Sequence, residues 1–74
     1  MDLKEALGRA LRRKRQEVGL SQEALADAAG LSRNYINEVE GGRYNVTLTT
    51  LAKLSSSLGC TISELTLGLE EEAS

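Results

Sequence analysis

The chain has no histidine and a single cysteine, Cys60. That leaves no cluster of side chains at metal-ligand spacing, and no metal or cofactor is expected. One thiol cannot close an internal disulfide, so the fold must stand without one and suits a reducing compartment. There is no phosphate-binding loop and no nucleophile–base pair, which argues against an enzyme and against a small-molecule ligand. No segment approaches the roughly 20 apolar residues of a membrane span. The charged opening Met1-Asp2-Leu3-Lys4-Glu5 is wrong for a signal peptide. No strand pattern, internal repeat or second domain is visible. At 74 residues the chain reads as one domain, 1–74, with a modest core.

The net charge is −2, which argues mildly against a nucleic-acid partner, but its distribution argues back. Lys4, Arg9, Arg12, Arg13, Lys14 and Arg15 crowd the front of the chain against Asp2, Glu5 and Glu17. The back holds Lys53 against Glu64, Glu70, Glu71 and Glu72. What matters to a polyanion is the local field on one face, not the sum. The plain alternative for the basic run is a solvated helix surface.

The pattern predicts an all-α fold, a compact bundle of five helices. Helix 1 is expected from about Asp2 to Glu17, with Leu3, Leu7, Ala10, Leu11 and Val18 inward. Thr47 is expected to cap helix 4, which turns Leu48, Leu51, Ala52, Leu54 and Leu58 inward and ends at Gly59. Thr61-Ile62-Ser63-Glu64 is a capping box, so helix 5 starts near Ile62. Residues 70–74 are expected to fray.

Between these lies the most informative segment, Ser21–Gly41, SQEALADAAGLSRNYINEVEG. Ser21 can cap a helix over Gln22–Ala29, on which Leu25, Ala26 and Ala29 share a face. Gly30 follows, where a left-handed turn is cheap only for glycine. Ser32 can cap another helix two residues later. On that helix Ile36 and Val39 face inward, while Arg33, Asn34, Asn37 and Glu38 face out. So short a turn makes the two helices cross steeply. A small residue, Ala26, lets them approach near Ile36.

This segment, about 21–41, resembles the helix-turn-helix of the phage-repressor and Cro-type family of DNA-binding domains. The flanks agree in order and register: GLSQ at 19–22, Ile36-x-x-x-Glu40, TLTTLAKLSSSLG at 47–59 and TISEL at 61–65. The resemblance covers roughly residues 5 to 69. It implies double-stranded DNA as partner, read by the second helix of the motif in the major groove. It also implies that Arg15 pairs with Glu40, tying helix 1 to the end of the reading helix. Cys60 stands where the family usually has a small apolar residue, so it is expected to be a buried substitute for one, or else an interface thiol.

Arginine can bind guanine O6 and N7, and asparagine adenine N6 and N7, through paired bonds. Arg33, Asn34 and Asn37 are therefore the expected base readers. Gln22 and Ser32 sit at helix N-termini suited to phosphate, and the resemblance places the loop carrying Arg43 and Asn45 near the backbone. Tyr35 divides between core packing and a phosphate or base contact. Tyr44 reads as a loop anchor. Glu38 either accepts from cytosine N4 or penalises wrong sites.

One such unit has too few base contacts to find a site alone, and members of the family bind as two-fold dimers. Ile62, Leu65 and Leu67, with Leu69 beside them, are the candidate dimer surface; the alternative is that they complete the core. The compact length and the Arg33-Asn34-Tyr35-Ile36 run look most like the controller proteins of restriction–modification systems. That implies a cytoplasmic, nucleoid-associated regulator of bacterial or phage origin acting as a homodimer on an inverted repeat. A Cro-like repressor, an antitoxin and a pure protein-interaction bundle are the alternatives.

Overall fold

The computed structural model describes residues 2–69 and 71. Among them are five helices: α1 Leu3–Glu17, α2 Gln22–Ala29, α3 Arg33–Glu40, α4 Leu48–Ser57 and α5 Ile62–Thr66. Each begins at a side chain able to accept a backbone N–H bond, which satisfies one of the four orphan donors of a helix start. Asp2 accepts from the Glu5 N–H, Ser21 from Ala24, Ser32 from Tyr35 and Thr47 from Thr50. Thr61 accepts from the Glu64 N–H while the Glu64 carboxylate accepts from the Thr61 N–H, both at 3.0 Å. Gly30, at φ 69°, ends α2 in the left-handed region. The Leu31 N–H then returns to the Ala26 carbonyl at 2.8 Å, and this makes the tight turn into α3. Apart from Glu71, the expected frayed tail lies outside the described residues.

Most of these helices would not persist alone. Four of them are ten residues or shorter, and isolated helices below about 12–15 residues are marginal in water. They are held by one core of Leu11, Leu25, Ala26, Ala29, Ile36, Val39, Leu54, Leu58 and Leu65. Each large member contributes on the order of 1.5–3 kcal/mol by leaving water. α2 packs on α3 and α4, α1 on α3 and α5, and α4 on α5. α3 thus has its inner side against two helices, and its outer side is left to solvent.

Three expected faces are corrected. On α1, Leu3 and Val18 are exposed, and the buried residues are Ala6, Gly8 and Leu11. The cause is a close approach: a β-carbon at Gly8 would stand 2.5 Å from the Val39 carbonyl oxygen and 2.7 Å from that of Glu40. α1 turns its small residues to α3, and its larger ends lie beyond the partner. On α4, Leu48 and Ala52 face solvent, while Ser55 is buried beside Leu54. The Ser55 hydroxyl donates to the Ala52 carbonyl at 3.1 Å, so a polar side chain is satisfied at an inward position.

The third correction concerns the dimer candidates. Leu65 is 5 % exposed and belongs to the core. Ile62 is half-buried, and Leu67 is 84 % exposed. The backbone explains the split. α5 ends at Thr66, Leu67 takes an extended conformation and Gly68 turns back at φ 77°. Leu69 is thereby buried and Leu67 is left pointing outward. Cys60 is half-buried against the core, and burial pushes its thiol pKa up. That suits a small apolar filler better than a reactive group.

Candidate nucleic-acid interface

The exposed side of α3 depends on how its inner side is fastened. Ile36 and Val39 are fully buried, three residues apart on one face. At the far end Glu40 is clamped. The Arg15 Nε donates to Glu40 Oε2 at 2.6 Å and its Nη2 to Oε1 at 3.1 Å. The Arg15 Nη1 donates to the Leu20 carbonyl at 2.8 Å. The two side chains are 11 % and 5 % exposed. The bond to Glu40 outweighs desolvation and raises the Arg15 pKa further above its ordinary value, so the guanidinium is always charged. The pair implied by the resemblance is therefore formed, and in paired, fork-to-fork geometry.

The same carboxylate holds a third residue. The Gln22 Nε2 donates to Glu40 Oε1 at 3.1 Å and to Asn37 Oδ1 at 3.3 Å. Gln22, expected at the phosphate backbone, thus uses its side-chain amide to join α2 to α3. Arg33, Asn34 and Asn37 are all exposed and line one shallow cleft together with Gln22. A second cleft adjoins it, between α1 and the end of α3, and includes Arg12, Arg15, Asn37 and Arg43. The expected base readers are brought together on one face.

Of the expected backbone contacts, Ser32 caps α3 and remains exposed. Tyr35 packs against the core and stacks on Tyr44, with ring centroids 5.4 Å apart and planes at 23°. That stack ties α3 to the loop that follows it. Arg43, 66 % exposed, is bonded to Glu38 at 3.1 Å. Asn45 is exposed but lines a different recess, with Leu3, Lys4, Leu7, Tyr44 and Val46. Arg12, in the sequence one member of the basic run, joins the cleft between α1 and the end of α3. The available signal was its spacing, three residues before Arg15 and so on the same side of α1.

Among the described residues, no helix is long and apolar enough to cross a membrane. No group of three or more Cys, Asp or Glu among them could hold a metal ion.

Comparison with known proteins agrees with this geometry. The helix-turn-helix family model matches residues 11–65. The control protein C.MunI from a Mycoplasma species is 42 % identical over 72 residues, which cover 96 % of this chain and 97 % of that one. The crystal structure of the restriction-modification controller protein C.AhdI from Aeromonas hydrophila superposes with a TM-score of 0.80 at 43 % identity, covering 82 % of this chain and 92 % of that one. The clp gene regulator ClgR from C. glutamicum superposes with a TM-score of 0.93 at 32 % identity, covering 100 % and 95 %. With its tight α2–α3 turn, clamped α3 and matched register, the chain belongs to the helix-turn-helix family of transcriptional regulators.

Proposed function

We propose that the chain is a sequence-specific DNA-binding regulator of the restriction–modification controller type, acting as a cytoplasmic homodimer on an inverted-repeat operator. The observation that carries this reading is the polar outer side of α3. Arg33, Asn34 and Asn37 share one exposed cleft on a helix whose other side is anchored by Ile36, Val39 and the Arg15–Glu40 clamp. Arg33, Asn34 and Asn37 then read base edges. Ser32 and the α3 N-terminus meet phosphate, with Arg43 and Arg12 beside them. Because the Arg43 end of the Arg43–Glu38 pair is largely exposed, the pair holds Arg43 only weakly, and a phosphate can replace the carboxylate. Tyr35 and Asn45 act on the backbone in the same reading, Tyr35 through the loop that it supports.

The dimer surface is centred on Leu67, with Ile62 at its margin. A patch of this size gives a weak dimer. Operator occupancy then rises faster than linearly with protein concentration, as a self-regulating switch requires. The test is a titration of the protein against the DNA upstream of its own gene, followed by gel shift and by a promoter–reporter fusion. A cooperative shift with a reporter response is expected. No response at any concentration would reject the self-regulating switch.

A further inference from the structure

Which of its two amide atoms an asparagine turns toward a neighbour is decided by what that neighbour can donate or accept. At the foot of α3 the decision starts at Glu40. Its carboxylate accepts from Arg15 at both oxygens and can only accept. The Gln22 side chain 3.1 Å away must therefore present its NH2 group, not its carbonyl. That same NH2 faces Asn37 at 3.3 Å, so the Asn37 atom facing it must be the carbonyl oxygen. In a planar amide, the NH2 lies on the other side of the group. Asn37 is exposed, and this NH2 is the side of its amide turned away from Gln22.

From this chain of bonds we infer that Glu40, acting through Gln22, fixes Asn37 as a hydrogen-bond donor toward DNA. Gln22 is then a positioning residue for specificity. The inference rests on the DNA-reading role proposed above and sharpens it. Asn34 has no such tether among the bonds seen, and it keeps both amide atoms for the paired contact to adenine. Asn37 seeks a base that offers only acceptors in the major groove, guanine through O6 and N7 or thymine through O4. Adenine, whose N6 is a donor, meets Asn37 at N7 alone, whereas an untethered asparagine would match both of its groups.

Two measurements test this. The first is selection from a random-sequence duplex library by the wild-type chain and by the Asn37→Ala, Gln22→Met and Gln22→Met/Asn37→Ala variants. Asn37→Ala marks the base pair concerned by erasing its preference. There the wild type should favour guanine or thymine, and Gln22→Met should move the preference toward adenine by about tenfold. The double variant should show no preference at that pair. Adenine favoured by the wild type, or an unchanged preference in Gln22→Met, overturns the inference.

The second measurement needs no DNA. ¹⁵N relaxation of the side-chain amides in the free wild-type protein should show Asn37 more ordered than Asn34, and Gln22→Met should remove the difference. Equal mobility of the two in the wild type overturns the inference whatever the selection gives. Failure to enrich any sequence, with Asn37 ordered, would count against the DNA-reading function and leave the tether standing.

Discussion

At Gly8 the neighbours of a would-be β-carbon are backbone carbonyl oxygens of α3, which cannot rotate aside. Gly8→Ala should therefore force α1 off α3. Overpacking of this kind costs about 1–3 kcal/mol, which for a domain of this size lowers Tm on the order of 10 °C. Thermal unfolding followed by circular dichroism checks it; an unchanged Tm would mean that the helices slide apart freely. A second prediction separates reading from attraction. Arg33→Ala should cost about 1–3 kcal/mol at the cognate site and relax preference at one base pair per half-site. Arg43→Ala should weaken cognate and random DNA alike and flatten the salt dependence. Equal loss profiles for the two would contradict this division. The sequence made Arg33, Asn34 and Asn37 legible because their outward register follows from the buried spacing of Ile36 and Val39. It did not make Gln22 legible, because its partners sit 15 and 18 residues away and the bond polarity is set by a carboxylate on a third contact. Nor did it reveal Gly8, whose meaning depends on the end of α3, over thirty positions on.

Element by element, starts and stops were the most legible feature, since each cap is a local event within four residues. Faces were harder. Periodicity gives a helix an apolar stripe but does not say how much of its length finds a partner, so Leu3, Val18 and Leu48 read as inward yet lie outside. α5 offers an acid-sensitive element. Hydrogen bonds donated to the Glu64 carboxylate by the Thr61 backbone N–H and hydroxyl hold its pKa below the ordinary value of 4.5. A lowered folded-state value means that the stabilising effect is complete above the ordinary carboxylate range. It is lost as pH falls through the folded-state value. The protection factors of the α5 amides, exchange rates corrected for the intrinsic pH dependence, should therefore fall on acidification below about pH 4.5, ahead of those in α2 and α3. Glu64→Gln keeps a reciprocal cap without the titration and should flatten that response. Persistence of the acid response in Glu64→Gln would place its origin elsewhere.

For the whole molecule, the burial contrast across α5 separates assembly from folding. Leu67→Glu changes an 84 % exposed side chain and should leave a folded chain that sediments as a monomer and binds a full operator poorly. Leu65→Glu places a charge in the buried core that also holds Leu11, Leu54 and Leu58 and should unfold the chain. Leu67→Glu sedimenting as a folded dimer would move the interface away from α5. The five-helix architecture is legible in the sequence, but the grouping of Leu65 with Leu67 on one surface is not what the fold shows: α5 turns Leu65 into the core, and Gly68 reverses the chain so that Leu69, not Leu67, follows it inward. A further consequence follows from α3 being only eight residues long. Too short to be helical alone, it owes its shape to α1 and α2. A synthetic peptide of residues 21–41 should show little helical circular dichroism and no operator binding even at high concentration. The proposed DNA-reading surface cannot be transplanted as a segment, nor can it survive the melting of its scaffold. Loss of recognition and loss of fold should thus follow one temperature curve, and any mutation that thins the core, however far from the reading face, becomes a mutation in operator occupancy.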